Sequence, residues 1–417
     1  MHKRDFLKSM ALSGIAIPFG FEKLFAAPHH STSNFLAHDD DFWSGLRNQY
    51  QLKPDYINLE NGYYNLMPQP ILDVYIQQLQ QLNYEASFYK RTKMANDKVM
   101  VREMVAPLVG CQIDEIIITR NTTEGMDTVI CGLDWKVGDE AIMAEQDYGA
   151  MLDMFKQQEK RYGIINKIIS IPNHPKNDDE IVNLYESAIT KNTKLIMLSH
   201  MINITGQILP VKKICDMAHA KGVKVLVDGA HAIAHFEFKI SDLNCDYYAS
   251  SLHKWLSVPL GAGLLYVQKN NIEGLWPLFG EQGYAANDIR KLNHTGTHPM
   301  HTELTIPFAI NFYKSIGSKR KEERLQFLKK YWTNKVENNS NIILNTPLEA
   351  ARSCAIANVG LKNITPALMA ETLLKKYKIW TVAISYANVH GCRITPNIYT
   401  TCKELNQLVN ALNEMSV

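Results

Sequence analysis

The stretch Val223-Lys-Val-Leu-Val-Asp-Gly-Ala-His231 decides the fold, because a largely apolar run ends in an acidic residue and a glycine turn. Such a run is typical of a buried strand in a parallel sheet. Ligands of open α/β sheets bind at the carboxyl ends of the strands, where Asp228 is expected. A carboxylate there loses hydration unless a cation faces it, so Asp228 is a candidate site residue. The alternative is a structural N-cap.

Similar apolar runs recur from about residue 100 to residue 270, and each is predicted to form a buried strand. They are Ile116–Thr119, Ala141–Ala144, Ile165–Ile171, Leu195–Leu198, Val223–Val227 and Leu264–Val267. Amphipathic segments such as Val211–Lys221 separate the runs, and Gly222 ends that helix. The alternation predicts an α/β domain with a mainly parallel sheet.

Beyond Pro299 the pattern changes to two long helical segments, followed by short strands and helices. The helical segments are His301–Ile316 and Lys319–Asn338, the strands are Cys354–Gly360, Ile379–Ala383 and Gly391–Thr395, and the last helices are Pro366–Tyr377 and Thr401–Met415. This predicts a second, smaller α+β domain. We divide the chain into a leader-like segment (1–27), an N-terminal arm (28–58), a large domain (59–299) and a small C-terminal domain (300–417).

A lysine follows the acidic strand in Ser250-Ser-Leu-His-Lys-Trp255. Lys254 is predicted to lie between a serine-rich turn and the glycine-containing strand Gly261–Val267. A lysine shielded from water loses proton affinity and becomes a competent nucleophile towards an aldehyde. Alone, this motif is a weak signal.

A third motif lies upstream, where the strand Ile116–Thr119 runs into Arg120-Asn-Thr-Thr-Glu-Gly125 and a helical pattern. Backbone N–H groups at a helix start, with the hydroxyls of Thr122 and Thr123 beside them, form a natural phosphate site. The alternative is an ordinary capping box with a threonine as N-cap.

The three motifs together fit one ligand. The lysine would react with an aldehyde, the aspartate would pair with a ring nitrogen, and the helix start would hold a phosphate. Pyridoxal 5′-phosphate (PLP) carries all three groups, and lysine with aspartate is its usual protein signature. The sequence therefore predicts PLP as the cofactor.

These motifs resemble those of the class V aminotransferase family of fold type I PLP enzymes, which includes cysteine desulfurases, selenocysteine lyases and isopenicillin N epimerases. The resemblance covers roughly residues 55–415. It implies a large domain with a mainly parallel sheet of the seven-stranded type, flanked by helices, and a smaller α+β domain. It also implies that Lys254 carries PLP as a Schiff base and that Asp228 pairs with the pyridinium nitrogen. The other implied cofactor contacts are Thr122, Thr123, Ser251 and His253 at the phosphate, and Asn203 and His231 near the ring hydroxyl.

Three further residues are implied by the same resemblance, and a fourth candidate, Asn61, comes from the N-terminal segment Asn61-Gly-Tyr-Tyr64. Tyr148 takes the place of a histidine that stacks over the cofactor ring in desulfurases. Thr297, in Gly296-Thr-His-Pro299, falls in a segment that reaches the phosphate of the neighbouring subunit, which implies a homodimer with shared sites. Arg393 matches the arginine that binds the substrate carboxylate in a bidentate pair. Asn61 is a candidate for substrate contact.

The expected reaction begins at the Cα of an amino acid, where Lys254 acts as general base while Arg393 holds the carboxylate. Tyr148 and the motif Arg393-Ile-Thr-Pro-Asn-Ile-Tyr399 favour the isopenicillin N epimerase-like branch. Desulfurases need a mobile cysteine shortly before this arginine, but residues 377–391 contain none and Cys392 adjoins Arg393 on a predicted strand. Racemisation or epimerisation, transamination and lyase-type elimination remain open. So do a PLP-binding protein without turnover and an α/β domain with structural Asp and Lys.

Composition bounds the partners. The 417 residues carry a formal net charge of +2, with basic and acidic residues interleaved, so no nucleic-acid partner is expected. The seven cysteines form no CxxC pair, so neither a zinc site nor a dense disulfide framework is expected.

The first 27 residues differ from the rest, because a basic start is followed by an apolar stretch and small residues at Ala26-Ala27. Lys3-Arg-Asp-Phe-Leu-Lys8 resembles a twin-arginine export signal with lysine as its first residue. We expect export, for example to the periplasm; the alternative is an amphipathic arm on a cytoplasmic protein. The apolar stretch is too short to be a stable membrane anchor.

Overall fold

The structure is a computed structural model that describes residues 37–417. The leader-like segment 1–27 lies outside the described residues, so the leader and its role in export stay predictions. The helices are α1 (Asp40–Arg47), α2 (Gln69–Glu85), α3 (Ser87–Thr92), α4 (Met94–Val109), α5 (Thr122–Gly132), α6 (Gly149–Tyr162), α7 (Asp178–Ala188), α8 (Val211–Ala220), α9 (Ile240–Leu243), α10 (Met300–Ile316), α11 (Ser318–Val336), α12 (Pro366–Tyr377) and α13 (Cys402–Met415). Within residues 37–417 no helix is both long and apolar enough to cross a membrane.

The strands form one large sheet and two smaller ones. They are β1 (Ile57–Asn58), β2 (Ile116–Thr119), β3 (Glu140–Ala144), β4 (Ile165–Ile169), β5 (Thr193–Ser199), β6 (Lys224–Asp228), β7 (Tyr247–Ser251), β8 (Gly263–Val267), β9 (Ile342–Leu344), β10 (Ala357–Leu361), β11 (Ile379–Trp380), β12 (Val382–Tyr386) and β13 (Val389–Ile394). The large sheet has seven strands in the order β2-β8-β7-β6-β5-β3-β4. Its strands are parallel except β8, which runs antiparallel to both of its neighbours. The predicted α/β fold with a mainly parallel sheet is confirmed.

Strand β7 was missed in the sequence, where Ser250 and Ser251 were predicted to form a turn. Both serines are instead the last residues of this buried strand. The connection from Ser251 to Gly263 returns as an antiparallel neighbour, since parallel strands need a longer crossover. Lys254 lies on this connection, directly beyond the carboxyl end of β7.

Gly263, the first residue of β8, lies where the connection returns to the sheet. A Cβ atom at this position would come within 2.7 Å of both Asn121 Cα and Ser250 O. Only glycine fits, and its close packing brings the start of α5 against the end of β7.

One predicted strand differs in its burial. The run beginning at Ile165 was predicted to be a buried strand, but β4 is the outermost strand of the sheet, and Ile165 and Ile168 are 47% and 54% exposed. An outermost strand has a hydrogen-bonded neighbour on one side only, and its flanking helices cover it incompletely.

The C-terminal region has the predicted α+β character. Its four-stranded antiparallel sheet has the order β12-β13-β10-β9, and α11 packs against α13 beside it. Strand β1, from the arm, pairs in parallel with β11 and so joins the arm to this region. Helix α10 packs against α2 and α4. The division at residue 299 stays a prediction.

Candidate active site

A cavity of about 540 Å³ opens at the carboxyl edge of the large sheet, and its wall also includes residues of β12 and β13. The strands β2, β5, β6 and β7 all end at this edge because they are parallel. Every predicted site residue except Asn61 and Thr297 lines this cavity: Thr122, Thr123, Tyr148, Asn203, Asp228, His231, Ser251, His253, Lys254 and Arg393.

Asp228 is the last residue of β6 and is buried. Its Oδ1 accepts the N–H of Ala230 at 2.9 Å, in the turn that follows the strand. Burial raises the pKa of Asp228, whereas the Ala230 N–H and the charge of Lys254 act in the opposite direction. A cationic ring nitrogen is the kind of partner that such a carboxylate requires.

Lys254 follows β7, and its Nζ lies 3.2 Å from Nε2 of His231. Its backbone is fixed by Asn65, whose Nδ2 donates to Lys254 O at 2.6 Å. Burial lowers the pKa of Lys254 to about 8, and the charge of Asp228 opposes this shift. Near neutral pH a larger fraction of this amine is therefore unprotonated and nucleophilic than of an exposed lysine.

The start of α5 meets the end of β7 at a cluster of hydroxyl groups. The Thr122 N–H donates to Ser251 Oγ at 3.0 Å, and the hydroxyls of these two residues lie 2.7 Å apart. The N-cap is Asn121, whose Oδ1 accepts the Glu124 N–H, so the alternative of a threonine N-cap is wrong. The N-cap therefore does not use the threonine hydroxyls.

His253 lies beside these hydroxyls in the cavity wall. Its Nδ1 is 3.1 Å from Ala262 O, so Nδ1 carries the proton and donates it. Burial is the main reason that the pKa of His253 falls to about 4, with a further contribution from the charge of Lys254. Nε2 remains available to a ligand.

Arg393 extends from β13 and forms an ion pair with Glu60, which sequence reasoning missed. Its Nε and Nη2 donate to the two Glu60 oxygens at 3.2 and 2.5 Å, and Nη1 donates to Asn203 O at 3.2 Å. Glu60 also accepts the N–H groups of Gly62 and Tyr63. A Cβ atom at position 62 would lie 2.7 Å from Arg393 Cζ, so only glycine allows this close approach.

Tyr148 follows β3 and remains 43% exposed. Burial and the neighbouring Tyr63 raise its pKa, so it stays protonated. Sequence reasoning also missed the preceding residue, Asp147, whose Oδ1 accepts both the hydroxyl and the N–H of Ser199. Burial raises the pKa of Asp147 to about 7. Its position three residues after the apolar strand β3 was the available signal.

The prediction that Asn61 contacts substrate is not supported, because its amide is engaged in the protein interior. Asn61 is fully buried, its Nδ2 donates to Thr395 O at 2.7 Å, and its Oδ1 accepts from Asn58 and Tyr399. It holds the loop that carries Glu60. Thr297 is exposed and outside the cavity, and its contact with a neighbouring subunit stays a prediction.

Cys392 is buried in β13 and does not line the cavity. Its Sγ lies 3.6 Å from Pro366 O, and burial raises its pKa to about 11. All seven cysteines lie in the described part of the chain and are free. Within residues 37–417 no group of three or more His, Cys, Asp or Glu side chains could hold a metal ion.

A lysine and an aspartate at the carboxyl edge of this sheet, with hydroxyls at a helix start beside them, define a fold type I PLP enzyme. The chain belongs to the aminotransferase class-V family, whose model matches residues 65–408. It is 25% identical over 393 residues to the isopenicillin N epimerase of Amycolatopsis lactamdurans, covering 90% of this chain and 98% of that protein. The isopenicillin N epimerase of Streptomyces clavuligerus is also 25% identical, over 391 residues that cover 90% of this chain and 98% of that protein.

Solved structures share the fold. The apo cysteine desulfurase of Thermococcus onnurineus NA1 superposes with a TM-score of 0.79 at 19% identity, covering 89% of this chain and 98% of that chain. A lysine-to-alanine variant of C-DES, with glycine covalently linked to PLP, gives a TM-score of 0.76 at 20% identity, covering 90% and 98%.

PLP is the cofactor that this family uses, and the residues present fit it. Lys254 would supply the amine for the aldehyde, Asp228 would supply the carboxylate for the ring nitrogen, and the hydroxyls of Thr122 and Ser251 suit the phosphate. The buried carboxylate of Asp228 is the strongest indication that PLP binds here. The Lys254 amine would be bonded to the aldehyde, so another cation, the ring nitrogen, would have to face Asp228.

Replacing Glu60 with alanine leaves the buried guanidinium of Arg393 without its counter-charge. We expect the free energy of unfolding in urea to fall by about 3 kcal/mol, because an isolated buried charge is costly. The control is Glu371→Ala, which breaks the exposed pair with Lys375 and should have little effect. Equal, small losses in both variants would contradict the expectation.

Proposed function

We propose that the chain acts at the Cα of an amino acid or an amino-acid-containing substrate, with epimerase-like or aminotransferase-like chemistry. One observation carries the proposal: the Lys254 amine lines a cavity that also holds the Asp228 carboxylate and the Arg393 guanidinium. The charges of both residues act on the protonation of Lys254. A base, a partner for the ring nitrogen and a carboxylate receptor therefore share one site.

PLP, when bound, withdraws electrons from the Cα of an amino acid joined to it through the amino group. Lys254 would hold the cofactor through its Nζ, and its amine would be the base that removes the Cα proton, because burial lowers its pKa to about 8. Asp228 would face the ring nitrogen and keep it protonated.

Arg393 binds the substrate carboxylate through the edge of the guanidinium that Glu60 leaves open. In the described part of the chain, one hydrogen of Nη1 and one of Nη2 have no protein acceptor. A carboxylate can accept both in a bidentate pair. Tyr63, Tyr64 and Leu260 also line the cavity and are exposed, so the rest of the substrate meets largely apolar and aromatic groups.

Epimerase-like chemistry is favoured over desulfurase chemistry because the site lacks a suitable thiol. Residues 377–391, which include β12 and the turn into β13, contain no cysteine, and Cys392 within β13 is a buried, protonated thiol. The similarity to isopenicillin N epimerases over 90% of the chain agrees with this choice. The second candidate is a lyase that releases its product without a protein thiol. A non-catalytic PLP-binding protein is the third.

We also propose a homodimer in which Thr297 contacts the cofactor phosphate of the neighbouring subunit. Large apolar side chains are exposed on α2 and α3, including Leu79, Tyr84 and Phe88. The segment that carries Thr297 adjoins this surface, because Lys90 Nζ on α3 donates to His298 O at 3.3 Å. Exposed apolar groups of this kind favour burial against a second copy.

Lys254→Ala is expected to abolish covalent attachment of PLP, because within residues 37–417 no other lysine lines the cavity. Reduction with borohydride followed by peptide mapping should label Lys254 in the wild type and leave the variant unlabelled. Lys269→Ala, a change at an exposed site outside the cavity, is the control and should be labelled like the wild type. Labelling of the Lys254→Ala protein to the same extent would exclude the assigned attachment site.

Deuterium exchange at Cα tests the reaction itself. We expect one or a few amino acids, from a panel of L and D forms, to gain deuterium in heavy water with the PLP-loaded enzyme. Asp228→Asn should slow this exchange by about 100-fold or more, since the ring nitrogen loses its charged partner. Asp216→Asn, on the exposed side of α8, is the control.

The accompanying products separate the candidates: inverted chirality indicates an epimerase, a keto acid with aminated cofactor a transaminase, and loss of a side-chain group a lyase. Absence of exchange from every member of the panel would favour the non-catalytic PLP-binding protein.

Subunit mixing tests the shared site. Thr297→Asp should repel the phosphate in the partner's site, and Lys254→Ala should inactivate its own site. Mixed dimers of the two variants contain one intact site, so random exchange should restore roughly a quarter of the sites. A monomer in sedimentation analysis, or full cofactor retention by Thr297→Asp, would contradict the proposed dimer contact.

A further inference from the structure

The proposed chemistry assigns no role to Trp255, the residue after Lys254. Its indole is buried, and its Nε1 donates to Nδ1 of His231 at 3.3 Å. The other nitrogen of His231, Nε2, lies 3.2 Å from Lys254 Nζ. The imidazole of His231 is therefore held between the indole N–H and the reactive amine.

The indole N–H can only donate, so Nδ1 of His231 must present its lone pair to it. A neutral imidazole carries one proton, which is then on Nε2 and directed towards Lys254, whose Nζ can accept it when it is unprotonated. The opposite tautomer would place two N–H groups against each other. Burial lowers the pKa of His231 well below its usual value, in agreement with a neutral ring.

The position of the indole is itself fixed. Trp255 stacks on His235 with ring centroids 3.6 Å apart and an angle of 17° between the planes. His235 is held at both nitrogens, because Nδ1 lies 2.8 Å from His231 O and Nε2 accepts the Ala355 N–H at 3.0 Å. The backbone oxygen of Trp255 also accepts a hydrogen bond from the buried Lys321.

We propose that Trp255 is a positioning residue that fixes His231 as the Nε2–H tautomer, so that this histidine is a permanent hydrogen-bond donor facing Lys254 and the bound cofactor. Glutamine at this position would offer a donor through its amide, with no tautomer to fix. Trp255 thus restricts His231 to one of its two neutral tautomers, the one in which Nε2 is the hydrogen-bond donor. The inference rests on the proposed attachment of PLP to Lys254.

Nitrogen-15 NMR of histidine-labelled holoenzyme tests the tautomer directly, because the protonated and unprotonated ring nitrogens have well-separated shifts. The signal of His231 is assigned by its loss in His231→Gln. We expect a proton on Nε2 alone in the wild type, and a mixture of both tautomers in Trp255→Phe, which keeps the aromatic ring but removes the N–H. A wild-type proton on Nδ1, or an unchanged tautomer in Trp255→Phe, would overturn the proposal.

The visible absorption of the lysine-bound cofactor gives a second readout. If His231 Nε2 no longer donates reliably in Trp255→Phe, the pH midpoint of the cofactor's spectral change should shift by about 0.5–1 unit. In a His231→Gln background the same Trp255→Phe change should shift it little further, because an amide donor does not need the indole. An equal shift in both backgrounds would show a general packing effect and overturn the proposal.

These outcomes are distinguishable from a failure of the proposed function. Borohydride labelling of Lys254 reports the attachment, and Cα exchange reports turnover. The tautomer of His231 can be read whether or not any amino acid is processed.

Discussion

The negative charge of Asp228 at the end of β6 is the constraint on which the rest of the site depends. A buried carboxylate is stable only when donors or a cation compensate for its lost hydration. The sheet supplies part of this through the Ala230 N–H, and Lys254 on the β7–β8 connection supplies charge. Because the same burial lowers the proton affinity of Lys254, the pair prepares both an acceptor for a ring cation and a nucleophile for an aldehyde.

A second charged pair joins parts of the chain that are far apart in sequence. Glu60 and Arg393 are both buried, and their ion pair links the loop after β1 to strand β13. The pair also fixes the orientation of the Arg393 guanidinium, which lines the cavity and is proposed to bind a substrate carboxylate. The close approach depends on the absence of a side chain at Gly62.

Much of the fold could be predicted from sequence because the buried strands are marked by continuous apolar runs. β7 was missed because it ends in two serines, whose polarity is typical of a turn but which here are buried and pair with Leu264 and Gly263 of β8. The outermost strand β4 was assigned too much burial because its apolar run resembles that of a central strand.

The site was predictable where a motif is local, as for Asp228, Lys254 and the start of α5. Glu60 was not, because its partner Arg393 is 333 residues away and nothing near either residue indicates the pairing. Asn61 was assigned to substrate from its place in the same loop, although its amide faces inwards. No role for Trp255 was predicted from the sequence, because only the fold places its indole N–H next to His231 Nδ1.

The predicted cofactor residues lie at or beyond the carboxyl ends of the strands of the large sheet, whereas the other wall of the cavity comes from the loop around Gly62 and from β12 and β13. The two walls can therefore diverge at different rates. Substitutions in the loop and the hairpin would change which substrate enters without disturbing the β7–β8 connection that carries Lys254. A constant sheet with variable loops around the cavity agrees with relatives that differ in reaction while keeping the same fold. The loop around Gly62 and the β12–β13 hairpin are therefore the places to change in order to alter the selectivity of this chain.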